Sequence, residues 1–167
     1  EPAHVVLSAA QHWLAPVRER LGDDFLSAYI TGGAMNPGFD PGKRHVNVLV
    51  VTRELSISRL DDVAAAVPHT HKPPHIDPMF MTMHQVQRSL DVFPIEWLDL
   101  KERHWRLEGV DLFDALEVPQ TYLRLQIEQE LRGKHLRLKQ EYLIGAAQPE
   151  RLHAALARLA SGFHTLF

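Results

Sequence analysis

The sequence predicts a mixed α/β (α+β) unit, a sheet flanked by helices, followed by a C-terminal helical hairpin. Three observations carry that expectation. Val46, Val48, Leu49, Val50 and Val51 form a near-continuous apolar run rich in β-branched residues, the pattern of a central strand buried on both faces. Helical-period segments lie on both sides of that run. From Pro119 the character changes to long amphipathic stretches with charge pairs at helical spacing. The expected division is an α/β domain over 1–118 and a helical hairpin, or truncated bundle, over 119–167.

The elements follow in order. Val5, Val6, Ala9, Ala10, Trp13, Leu14, Val17 and Leu21 recur at helical spacing and stop before Gly22. Pro16 lies inside the pattern and is expected to kink or divide the helix. Residues 25–31 form a short strand closed by Gly32 and Gly33. Residues 45–52 form the best strand in the chain. Residues 58–67 form a helix with Ser58 as N-cap and Asp61 completing the cap. Residues 68–78 hold four prolines and three histidines and cannot be regular. Residues 78–83 form a short edge segment, and Thr82 caps a helical turn over 84–88. Residues 92–100 alternate in part and read as a strand, and 107–109 as a last short one. Leu123, Ile127, Leu131, Leu138 and Tyr142 share one stripe, supported by Glu128–Arg132 and Glu130–Lys134. Gly133 is a weak point within it. Gly145 and Pro149 mark a turn, and a second helix runs over 150–167.

Composition bounds the function classes. The 167 residues are 45% apolar and 23% charged, ordinary values for a globular protein. A formal charge of -3 gives no global attraction to nucleic acid or an anionic membrane, so neither is an expected partner. No apolar run reaches the ~20 residues that span a bilayer. The chain has no cysteine, which excludes disulfides and thiolate metal sites and is compatible with the expected cytoplasmic location. Glu1 is not a Met and Phe167 falls inside a helical pattern, so a longer native chain is the expectation.

The most telling stretch is residues 29–51: an apolar segment, the Gly32-Gly33 turn, a Gly- and Pro-rich loop with Lys43 and Arg44, then the Val-rich strand entered through His45 and Asn47. This layout resembles the active site of the nucleotidyltransferase superfamily, and most closely the bacterial predicted nucleotidyltransferases that carry a C-terminal helical region. The likeness covers residues 14–116. The resemblance implies a Gly-Ser turn, a strand with an Asp-x-Asp pair holding magnesium, a helix, and then a strand bearing a third carboxylate. In this sequence the pair falls on His45 and Asn47, and Gly33 stands in the place of Ser. Glu96, with Asp99 behind it, matches the third carboxylate, in the stretch from Phe93 to His104 that precedes Leu107 to Asp111.

Residues i and i+2 of a strand share a face, so His45 and Asn47 keep the geometry of the pair. They offer an imidazole nitrogen and a neutral amide oxygen. Magnesium prefers carboxylate oxygen, and two-metal phosphoryl transfer needs negative charge to hold both ions beside a triphosphate. The resemblance therefore implies a degenerate member, a nucleotide-binding or regulatory and interaction module. Its candidate nucleotide contacts are Gly32, Gly33, Lys43, Arg44, His45 and Asn47. No cofactor is expected, with magnesium required only if Glu96, Asp99 or Asp40 builds an unusual active site. The plain alternatives are a ligand-free tight turn at Gly32-Gly33, two hydrogen-bonded polar residues at 45 and 47, and a solvent-facing Glu96.

His69, His71, His75 and Asp77 lie within nine residues and supply imidazoles suited to zinc, copper or nickel. They give a rival reading as a metal-binding loop, against scattered exposed histidines. The C-terminal stripe and Phe163, Leu166 and Phe167 point to bundle packing, a protein partner or a homodimer. Some members of the resembled superfamily act as antitoxins against a helical toxin, so a protein partner is also implied by resemblance.

Overall fold

The computed structural model describes residues 1–67, 72–145 and 149–161. The chain divides into two compact units, Glu1–Ser89 with Leu100–Glu117, and Leu90–Asp99 with Val118–Phe167.

The first unit is built on four strands, β1 (Phe25–Thr31), β2 (Val46–Thr52), β3 (Ile76–Thr82) and β4 (His104–Gly109), in the order β3-β2-β1-β4. β1 runs antiparallel to β2 and β4, and β2 runs parallel to β3. The sheet is therefore mixed, with β2 at its centre as the apolar run predicts and β1 beside it. One face of the central strands, with Ala28, Ile30, Val46, Val48 and Val50, packs on the helix α1 (His4–Leu21). That helix contributes Val6, Ala10, Trp13, Leu14, Val17 and Leu21 to the same core, and the helix α2 (Ile57–Ala66) adds Val63. On the opposite face Tyr29, Leu49 and Val51 are also buried.

Local chemistry explains most of the boundaries. Pro16 sits inside α1 without dividing it, since burial of the whole apolar stripe outweighs one lost backbone hydrogen bond. The N-cap of α2 is Ser56 rather than Ser58, its Oγ accepting from Arg59 N–H at 3.2 Å, an arrangement that contributes about 1 kcal/mol. The expected Thr82 cap is present at the helix α3 (Met83–Ser89) as a reciprocal box. Thr82 Oγ1 accepts from Gln85 N–H at 3.2 Å, and Gln85 Oε1 accepts from Thr82 N–H at 2.8 Å. β3 starts two residues before the expected edge segment. It carries Pro78, which an edge strand tolerates because one side of its ladder is open.

Residues 92–100 differ from the sequence expectation. They lie not on a strand but largely on the helix α4 (Pro94–Glu102). Pro94 at the first helical position, Glu96 in the first turn and Lys101 in the last are all favourable to a helix. Pro94, Ile95 and Trp97 are its buried residues. The strand that pairs with β1 is β4, longer than the three residues expected. Its end is fixed by Gly109, at φ +92°, where an added Cβ would lie 2.2 Å from the Leu26 carbonyl oxygen. Just beyond, Tyr29 anchors the returning chain. Its hydroxyl donates to Val110 O at 3.0 Å and accepts from Leu112 N–H at 2.8 Å. Burial pushes its phenol above the ordinary tyrosine range.

The second unit contains the first part of α4 and two helices, α5 (Leu123–Gly145) and α6 (Pro149–Ser161). Both expected ion pairs are present on α5. Arg132 Nε donates to Glu128 at 2.9 Å, and Lys134 Nζ donates to Glu130 at 2.6 Å. Gly145 ends α5 against Leu152 of α6, whose Cβ is 3.3 Å from where a Gly145 Cβ would stand.

Two substitutions test the β1–β4 seam. Gly109→Ala forces a Cβ into the Leu26 backbone and is expected to cost about 2–3 kcal/mol by urea unfolding. Tyr29→Phe leaves the Leu112 N–H without its partner and is expected to cost about 1–3 kcal/mol near neutral pH. Because the Tyr29 phenol is raised on folding, its contribution holds below the ordinary tyrosine range and is lost as pH climbs through the raised value. The alkaline fall in thermal stability is expected to be shallower in Tyr29→Phe.

Candidate functional site

The site grows from the C-terminal end of β1. After Thr31 the chain enters a 3-10 turn, Gly32–Met35. Gly32 has φ +64°, a left-handed conformation that only glycine adopts without strain. An added Cβ there would lie 3.1 Å from the Asn47 side-chain nitrogen, so the Asn47 amide rests directly on the turn. At Gly33 the same test meets the Arg44 guanidinium at 2.9 Å. The turn is thus covered by one amide and one cation.

The loop between the turn and β2 is held by its own backbone. Asn36 N–H donates to Gly33 O, and Lys43 and Arg44 N–H both donate to Asp40 O. Asp40 Oδ1 accepts from Gly42 N–H at 2.9 Å, and its other oxygen faces Lys43 Nζ at 3.6 Å. Asp40 is engaged in fixing this loop. Lys43 is mostly in solvent, with 83% of its side chain exposed. Arg44 has its guanidinium carbon 5.5 Å from the Phe39 ring centre, a cation–π arrangement that leans it toward the turn.

Register then sets a row of side chains across the sheet. His104 of β4 pairs with Thr31 of β1, Thr31 with Asn47 of β2, and Asn47 with Asp77 of β3. Side chains paired across strands share a face. The row lies on the face opposite Val46, Val48 and Val50. His104 is partly buried, Thr31 is buried, and Asn47 and Asp77 are exposed. His104 Nδ1 is 2.7 Å from Leu100 O, and its ring stacks on Phe113 at 4.4 Å. Because a carbonyl only accepts, Nδ1 carries the proton.

Of the residues singled out from the sequence, Gly32, Gly33, Arg44, His45 and Asn47 come together at the turn and the mouth of β2. His75 joins them by preceding β3, its carbonyl accepting from Val46 N–H at 2.8 Å. Glu96 is not on the sheet. It lies on α4 in the second unit, and its Oε2 accepts from Gln126 Nε2 at 2.9 Å. The strand that follows helix α2 is β3, and its carboxylate is Asp77. Sequence reading grouped Asp77 with the loop histidines, although its position one strand and one helix after Asn47 was the available signal. His69 and His71 lie outside the described residues.

The resemblance implies a magnesium pair at this end of the sheet. The donor set does not fit one. An imidazole stands just before β2 and an amide at its second position, and Asp77 is the only carboxylate of the row. Among the described residues no three His, Cys, Asp or Glu side chains converge as a metal site.

No protein-family model matches the chain, and no curated protein sequence matches it. Among solved structures it is similar to a spectinomycin adenyltransferase, AAD(9), from Enterococcus faecialis, solved with ATP and spectinomycin. The likeness has a TM-score of 0.52 at 12% identity and covers 82% of this chain and 67% of that one. Together with the four-stranded mixed sheet and its flanking helices, it shows that the chain has a nucleotidyltransferase-like fold.

Proposed function

We propose that this chain is a nucleotide-binding module on a nucleotidyltransferase-like fold that does not perform two-metal nucleotidyl transfer. The observation that supports it most is the in-register row at the sheet end, with Asn47 where a metal-binding carboxylate would stand. Phosphoryl transfer in a two-metal site depends on carboxylates that neutralise and place both ions. His45 and Asn47 supply neither charge. What supports a phosphate role without transfer is the Arg44 guanidinium and the Asn47 amide, which lie over the glycine turn and can donate to an anion there. The structural neighbour was solved with ATP, which is consistent with such a role for the shared fold.

A second reading, a regulatory or interaction role through the helical unit, has its own support. Leu136, Tyr142, Leu143 and Ile144 of α5 are all more than half exposed, more apolar surface than one helix normally leaves to water. A protein partner or second copy of the chain would cover it.

Calorimetric titration with ATP, GTP, CTP and UTP, each with and without excess magnesium, tests the first reading. At least one nucleotide is expected to bind without magnesium, and Arg44→Ala is expected to weaken it by about tenfold or more, the scale of one charge-assisted hydrogen bond. Magnesium-dependent release of pyrophosphate would refute the reading. Binding of none of the four would leave the interaction role.

A further inference from the structure

The pairing that sets the row also places two histidines side by side. β2 and β3 run parallel with Val46 opposite Ile76 and Asn47 opposite Asp77. The residues that precede these strands, His45 and His75, therefore neighbour one another. Their ring centroids are 5.6 Å apart and their planes 58° from parallel. His45 is exposed and His75 partly buried. Among the described residues neither ring takes a hydrogen bond or an ion pair. Two residues further along the chain from each stand Asn47 and Asp77, which pair with one another across the two strands.

That separation has a chemical meaning. A zinc–imidazole bond of about 2.0–2.1 Å puts each ring centroid roughly 3.2 Å from the ion, so two rings at tetrahedral to trigonal angles are about 5.2–5.5 Å apart. The observed 5.6 Å is close to that separation, and His45 is exposed, with room to turn its ring. Two imidazoles select zinc, nickel or copper over magnesium or calcium, which prefer oxygen. We propose that His45 and His75 hold one divalent cation of the zinc class at the mouth of the β2–β3 pair. Asp77 stands two residues beyond His75 as a carboxylate for a water on that ion. With two protein ligands the ion keeps open positions, filled by water or by an oxygen of a bound anion. Such a site is exchangeable, unlike the four-ligand closed sites that hold structural zinc. The disagreement with the magnesium pair thus becomes a change of metal class. It does not depend on nucleotide binding, because both histidines are placed by strand pairing alone.

The test uses the full chain stripped with EDTA and titrated calorimetrically with zinc chloride, no nucleotide present, at about pH 7.5, where free imidazole is neutral. One site tighter than the background of the other histidines is expected. His45→Ala and His75→Ala are each expected to weaken it by at least about tenfold, the scale on which even outer partners of metal ligands act. His135→Ala, in the helical unit, is expected to leave it unchanged. A tight site that survives both variants, or that is lost only on substitution of His69 or His71, would overturn the proposal. Should a variant fail to fold, imidazole NMR of the wild type decides. The His45 and His75 ring signals are expected to shift first and together at substoichiometric zinc, and first shifts at other histidines would sink the site.

Discussion

The register of β2 is the constraint on which the rest of the structure depends. Val46, Val48 and Val50 face α1 and are buried in the core of the first unit. Asn47, in the alternate position, faces the other way. Slipping the strand by one residue would drive the valines out and Asn47 in. Each buried valine contributes about 1.5–3 kcal/mol relative to exposure, so three of them fix the register against any gain from Asn47. The alignments Asn47 with Asp77 and Asn47 with Thr31 follow from that hydrophobic choice. Placement of the site is in this sense a by-product of core packing.

Chemistry at the sheet end is decided separately from geometry. The turn keeps a left-handed glycine at 32, and residues 45 and 47 stand at the start of β2. What differs is charge. An Asp-x-Asp pair would bring two negative charges to this corner, whereas here an imidazole and an amide stand beside the Arg44 cation. Phosphate oxygens meet fewer opposing charges in such a place, and a magnesium pair meets too few. The proposed roles, anion binding and an imidazole-held metal, both rest on this difference in charge.

The parts that were legible in the sequence are those with one dominant local signal. β2 announced itself through its run of valines, the turn through Gly32-Gly33, the α3 cap through Thr82, and the α5 ion pairs through their spacing. β3 was legible as an edge segment over 78–83 but not at its start, since Pro78, Met79 and Met81 carry little strand preference. It forms because an edge next to β2 is available for pairing. α4 was misread because Phe93, Ile95, Trp97 and Leu98 fit partial alternation as well as a helical turn. Pro94 and Glu96 at its start were the deciding local signals. That misreading put Glu96 on an expected strand, whereas it lies on α4, and grouped Asp77 with the loop histidines although it lies on β3. The juxtaposition of His45 and His75 was not legible at all, since it exists only through the pairing of two strands thirty residues apart.

The most direct measurement is ATP binding, with and without magnesium, by the wild type and by the double variant His45→Asp/Asn47→Asp. If geometry is intact and charge alone is missing, wild-type affinity is indifferent to magnesium, and the double variant binds ATP more tightly when magnesium is added. Magnesium dependence already present in the wild type, or its absence from a folded double variant, would contradict the placement of residues 45 and 47 at a metal-pair position.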